Sequence, residues 1–248
     1  YKCENLTTVP AGLFEDAIAA TDMARMFIGC KALQSVPEDL YKTCVKVTTF
    51  ANLFEECTNL STVPAGLFAQ NTKVTNFSSL FKNCSKLSVV PADLFAANTA
   101  AINFSSMFYG CTSLTAIPAD LFVHNVKVTT GFASTFYGCT GLTAIPETLF
   151  SANVAATSFN STFYGCTGLT SLPAGLFDNN KKVTNFGKTF MGCKALAGES
   201  PYSTVDGAKV HLYERTTALG FSNVSTKTDC FDGCTGLSDY GDIPTAWK

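Results

Sequence analysis

Apolar positions along this chain fall into one pattern that repeats from end to end. Between Phe104 and Phe122 the sequence reads FSSMFYGCTSLTAIPADLF. Phe104, Met107, Phe108 and Cys111 stand at i, i+3, i+4 and i+7, the apolar stripe of a two-turn helix. Asn103 stands where it can cap that helix, as Thr21-Asp22 and Thr75-Asn76 do in other units. Gly110 follows the stripe, and Gly29, Gly138, Gly165, Gly192 and Gly233 repeat it, with Asn83 once in its place. Gly or Asn is what a left-handed stop requires. Glu56 breaks that rule.

Next comes Leu114 to Ile117, matched elsewhere by LTTV, LQSV, LSTV, LSVV and LTSL. The pattern predicts one short extended segment per unit, and stacked units would pair them into a parallel sheet. Pro118 ends the segment because proline has no amide to donate, and it suits the first turn of a second helical piece, Pro118 to Phe122. Three residues after that phenylalanine an asparagine recurs: Asn71, Asn98, Asn125, Asn153 and Asn180. A buried asparagine column of this kind satisfies backbone groups of adjacent coils.

The period fixes the architecture. Cysteine stands at 3, 30, 57, 84, 111, 139, 166 and 193, in steps of 27 residues with one of 28. Proline follows seven residues later at 10, 37, 64, 91, 118, 146 and 173. A unit this short cannot bury its own apolar face, so units must stack into a solenoid. The expected fold is an α/β solenoid of seven units over residues 1–197, with short parallel strands and short helices. Residues 198–248 form an irregular last repeat and cap. There the cysteine step widens to 41 residues, from Cys193 to Cys234. The insert carries Asp206-Gly207, a hairpin turn signal, before the alternating Val210-His-Leu-Tyr213. Phe221, Tyr240 and Trp247 are expected to cover the last coil. The opening Tyr1-Lys2-Cys3 aligns with Tyr109-Gly110-Cys111, in the middle of a unit, which places removed residues upstream.

Eleven cysteines raise the question of disulfides or metal. One per unit at one position gives instead an inward ladder of reduced thiols, whose parallel vectors hold neighbouring Cβ atoms too far apart to bond. Cys44 stands in the asparagine column and Cys230 in the Met107 position. No CxxC pair points to zinc.

Charge adds exclusions. Charged residues make up 15% of the chain and the net charge is −2. That lacks the basic face a nucleic-acid partner needs, and no apolar run is long enough to span a bilayer. His124 and His211 have no evident partners for a triad. Asp229, Asp232, Asp239 and Asp242 lack the spacing of a calcium loop and read as solvated surface. No catalytic residue, cofactor or metal is expected.

The pattern F-x-x-C-x-x-L-x-x-I, Phe108 to Ile117, resembles the BspA-like leucine-rich repeats of bacterial surface proteins. Val74 to Phe81, VTNFSSLF, is similar to the related repeats of bacterial surface lipoproteins. The unit is longer than is usual there and carries a proline directly after the strand. The resemblance covers about residues 3 to 197. It implies a right-handed α/β leucine-rich-repeat solenoid at the cell surface or secreted, and an adhesion module whose partner is a host extracellular-matrix protein; it carries over no catalytic residues. A passive scaffold displaying another domain is the alternative.

One column gives a candidate site. One position past the inward phenylalanine stand Tyr109, Tyr137, Tyr164 and then Met191. From Asn98 to Phe177 only Asp120, Lys127 and Glu147 are charged. An aromatic strip on an uncharged polar face suits a glycan or protein partner. The same rings could instead simply cover one another.

Overall fold

The computed structural model describes residues 2–248; the expectation at Tyr1 lies outside the described residues. The apolar stripe does not form a helix, and no α-helix occurs among the described residues. Instead Phe104 to Cys111 is a ribbon of overlapping turns. The amides of Met107, Tyr109 and Cys111 donate back to the carbonyls of Phe104, Ser106 and Phe108, at 3.2, 3.2 and 3.0 Å. The amides between them point the other way. Phe104, Ser106, Phe108 and Gly110 donate to the next coil, to Gly131, Ala133, Thr135 and Tyr137, at 2.7 to 2.9 Å.

The reason is a left-handed residue every fourth position. Ser106 has φ 55° and Gly110 φ 70°. A helix cannot pass through such residues, and the alternation sends every second amide to a neighbour. Each coil repeats it: Arg25, Asn52, Ser79, Ser134, Ser161, Lys188 and Asp229 match Ser106. Asn83 and Glu56 both match Gly110, each with φ 61°. Glu56 thus takes the left-handed conformation despite its side chain, and its amide is fixed by the Lys82 carbonyl at 2.8 Å.

The predicted strand stack is also displaced. The Leu114 to Ile117 segments are connected by at most one backbone bond per coil, such as Thr143 to Thr115 at 3.3 Å, and form no ladder. Parallel pairing sits instead just before the first phenylalanine. Single bridges link Asp22, Thr49, Asn76, Asn103 and Gly131 in succession, and Ser158, Asn185 and Thr226 further on. The Asn103 side chain closes a local turn there, with its Oδ1 accepting from the Ser105 amide at 2.9 Å. Gly131 is required at its place in the row. A Cβ there would run into the Ile102 carbonyl and lie 2.8 Å from Asn103 Cα.

The interior is made of columns. Phe54, Phe81, Phe108, Phe136 and Phe163 stack with centroids 5.4 to 5.8 Å apart. Phe77, Phe104, Phe132 and Phe159 form a second column, and Tyr41, Phe68 and Phe95 belong to a third. Offset aromatic stacking adds to the burial of these large rings. The asparagine column is buried throughout. Asn98 Nδ2 donates to Phe68 O at 3.1 Å and Asn71 O at 2.9 Å, and Asn125 repeats this one coil on.

All eleven cysteines are free. Cys3 is exposed rather than inward, and from Cys57 on each ladder thiol donates to a phenylalanine carbonyl of the preceding coil, as Cys111 does to Phe81 O at 3.2 Å and Cys139 to Phe108 O at 3.1 Å. Burial pushes the thiols up, Cys57 and Cys139 to about 12.

At the C-terminal end, β1 (Tyr202–Val205) and β2 (Ala208–His211) form an antiparallel hairpin. Its turn is Asp206-Gly207, with φ 49° and 83°, the left-handed pair of a type I′ turn. The strand stops at His211, and Leu212–Glu214 forms a 3-10 turn. Arg215, buried, ties the hairpin to the array through Nη2 bonds to Phe177 O at 3.0 Å and Ser203 Oγ at 3.1 Å. Trp247 lies 6.2 Å from Phe231 and 6.3 Å from Phe186, and its carbonyl accepts the Phe231 amide. Phe221 packs under the Arg215 guanidinium at 4.4 Å, and Tyr240 under Lys248 at 4.6 Å.

Candidate functional site

The residue after each inward phenylalanine points away from the core, because the turn ribbon alternates. These residues make one outer column: Ile28, Glu55, Lys82, Tyr109, Tyr137, Tyr164, Met191 and Asp232. The three tyrosines are half-buried and stack face to face. Tyr109 and Tyr137 have centroids 4.3 Å apart and planes 6° from parallel; Tyr137 and Tyr164 are 4.4 Å and 4°. The open face of Tyr109 is covered by Lys82, whose Nζ lies 5.7 Å from the ring centroid. Glu55 holds that ammonium at 3.0 Å, and Asn52 holds Glu55 at 2.6 Å. Met191 follows in the next coil.

The stacking therefore uses up every ring face but the outer one of Tyr164 and leaves edges and hydroxyls outward. Partial burial pushes the Tyr137 phenol up to about 12, reinforced by Tyr109 and Tyr164 on either side. The sequence brought Tyr109, Tyr137, Tyr164 and Met191 into one column. It did not announce that Lys82 and Glu55 close its end.

Beside the tyrosines runs a row without side chains. Gly138, Gly165 and Gly192 follow Tyr137, Tyr164 and Met191. A Cβ on Gly138 would meet nothing within 4 Å, and one on Gly165 only Gly138 Cα at 4.0 Å. After the inward cysteine, Thr112, Thr140 and Thr167 form an exposed row on the other side.

Elsewhere the surface grooves are shallow and lie between coils. The best formed runs between Glu38, Asp39 and Lys42 on one coil and Gly66, Leu67 and Gln70 on the next, far along the axis from the tyrosines. His124 is exposed. His211 is not the isolated histidine the sequence implied. Nδ1 lies 3.1 Å from Glu214, and Nε2 lies 3.7 Å from Glu199 and 3.6 Å from Asp239. Asp239 is buried rather than solvated, and accepts from the Ser200 hydroxyl at 2.5 Å and amide at 3.0 Å. The serine hydroxyl is thus bonded to the carboxylate, not to the imidazole, so these three do not form a nucleophile and base. No group of three or more His, Cys, Asp or Glu among the described residues is placed to hold a metal ion.

A chain of near-identical coils with stacked phenylalanine, cysteine and asparagine columns is a repeat solenoid of the leucine-rich class. Residues 21–147 and 102–227 match the family described as "Mycoplasma protein of unknown function, DUF285", and the chain belongs to that family. This is a BspA-like family, in line with the resemblance at Phe108 to Ile117. No curated protein matches the chain. Among solved structures, a Treponema pallidum leucine-rich-repeat protein is similar at 21% identity over 66% of this chain and 67% of its own, with a TM-score of 0.38. A leucine-rich cell surface protein of Faecalibacterium prausnitzii is similar at 15% identity over 94% and 82%, with a TM-score of 0.34. The Drosophila Toll–Spatzle complex matches at 17% identity over 95% of this chain and 32% of that one, with a TM-score of 0.36.

Proposed function

We propose that this chain is a non-enzymatic recognition module, at the cell surface or secreted, that adheres to a host protein or glycan through its tyrosine column. The observation that carries the reading is the stack Tyr109, Tyr137, Tyr164, half-exposed on coils with almost no charge. Aromatic edges with hydroxyls offer both apolar contact and hydrogen bonds, the combination favoured at recognition surfaces. An extended solenoid repeats that contact along its length. No nucleic acid enters the reading, since no basic face serves it.

The passive-scaffold reading draws on the same stack. Faces closed by mutual stacking, with Lys82 at one end, are also what plain packing produces.

The test is a binding screen of the purified chain against immobilised extracellular-matrix proteins and a glycan array. Tyr109→Ala/Tyr137→Ala/Tyr164→Ala runs beside it, with its fold checked by circular dichroism. Capture that disappears in the folded triple variant supports the reading. Capture that survives keeps the recognition and moves the site. No capture of either form leaves the scaffold.

A further inference from the structure

We infer that the tyrosine edge is one wall of a linear furrow shaped for an uncharged polysaccharide lying along the solenoid axis. This rests on the recognition reading above and names the ligand class.

The furrow follows from the order of residues in each coil. Tyr137, Gly138, inward Cys139 and Thr140 recur as Tyr164, Gly165, Cys166 and Thr167. A bare glycine floor thus runs between a row of phenol edges and a row of threonines. The floor is continuous: a Cβ on Gly192 would approach Gly165 Cα at 3.7 Å, and one on Gly233 would approach Gly192 Cα at 3.6 Å. At the other end Asn83 closes it, with Oδ1 next to the Gly110 position. Lys82 in the tyrosine column and Lys194 in the threonine column bound the uncharged part of the two walls.

The chemistry of the furrow selects among polymers. A peptide added as a strand needs free backbone groups. Here the floor amides are spent: Gly110, Gly138 and Gly165 donate to Tyr137, Tyr164 and Met191 carbonyls at 2.7 Å. A folded protein anchors an aromatic or aliphatic side chain in a pocket, whereas the floor here is bare glycine, where a Cβ on Gly138 would meet nothing within 4 Å. A flat aromatic ligand needs a free ring face along the row, and every face but the outer one of Tyr164 is stacked or covered. An acidic polymer needs cations along the walls, which the wall residues Tyr109, Tyr137, Tyr164, Thr112, Thr140 and Thr167 do not supply. What remains is a row of hydroxyls that both donate and accept, beside aromatic edges, repeated once per coil. That matches a neutral chain of hydroxyl groups, engaged weakly at each coil and summed over several.

Affinity electrophoresis of the full chain in gels containing dextran, laminarin or galactomannan tests this, with hyaluronan as the acidic comparison. Gly138→Asn/Gly165→Asn fills the floor. Asparagine fits the left-handed backbone there, as Asn83 does at φ 61°, so the melting temperature should hold. The expected result is retardation by at least one neutral glycan, weakened about ten-fold in the filled variant. Equal retardation of both forms, or retardation by hyaluronan alone, overturns the furrow. Absence of any retardation overturns it too. If the chain then still captures matrix proteins through its tyrosines, the recognition reading stands without this ligand class; if it captures nothing, both fall.

Discussion

Replacing Asn98 by alanine isolates what the asparagine column contributes. The Asn98 side chain is fully buried, and its Nδ2 spans two carbonyls of the preceding coil, Phe68 O at 3.1 Å and Asn71 O at 2.9 Å. Both carbonyls keep one backbone donor, the amides of Asn71 at 3.0 Å and Val74 at 3.1 Å. They are therefore reduced from two bonds to one rather than orphaned. Each lost bond should cost about 0.5–1.5 kcal/mol, toward the lower end of what a stranded group would cost. The space left by the amide adds a cavity contribution of order 1 kcal/mol. The expected loss is about 2–4 kcal/mol, read as a lowered midpoint in urea unfolding followed by circular dichroism. Thr115→Ala, at an exposed site 17 residues further along the chain, is the control and should stay within about 0.5 kcal/mol of the parent. If Asn98→Ala also stays within that margin, the column does not stitch coils together.

Other outcomes follow from the same geometry. Phe108→Ala opens the middle of a fully buried aromatic column and should cost about 3–5 kcal/mol by the same unfolding assay. Gly131→Ala drives a Cβ into the Ile102 carbonyl and should cost about 1–3 kcal/mol, whereas Gly138→Ala meets no atom but keeps φ 66°, so it should cost only the left-handed backbone strain, about 1–2 kcal/mol. The buried thiols make stability fall with rising pH: folded Cys57, Cys139 and Cys234 are raised to about 12, so the unfolded chain loses those protons first. Denaturation midpoints should hold below about pH 8.5, the unfolded thiol range, and drop progressively toward pH 12. In native buffer a thiol reagent should label exposed Cys3 fast and the buried ladder only after denaturation.

Much of the fold was written in the period. The cysteine and proline spacing, the asparagine column and the Asp206-Gly207 turn all sit where their side chains demanded. The local conformation of the stripe was not legible, because a helix and a turn ribbon both place Phe104, Met107, Phe108 and Cys111 on one side. What separates them is the left-handed residue at the Ser106 position. Arg25, Ser79 and Lys188 carry no preference for it; the inter-coil bonds impose it. The strand displacement has the same origin, since the amides around Asn103 are already committed to neighbouring coils. At the candidate site, one column was readable from a fixed offset after phenylalanine. The same offset puts Lys82 and Glu55 in that column, but the reach of the Lys82 ammonium over the Tyr109 ring and its pairing with Glu55 depend on side-chain conformation that the spacing does not carry. The pairing of His211 with Asp239 was hidden by the insert between them, which only the folded hairpin brings back onto the last coil.

The most direct test of the recognition claim is hydroxyl-radical footprinting of the chain, free and then bound to whichever matrix protein or glycan the screen captures. The account predicts that Tyr109, Tyr137 and Tyr164 lose reactivity together on binding, while exposed His124 does not change. Unchanged tyrosines, with protection elsewhere on the coils, would contradict it.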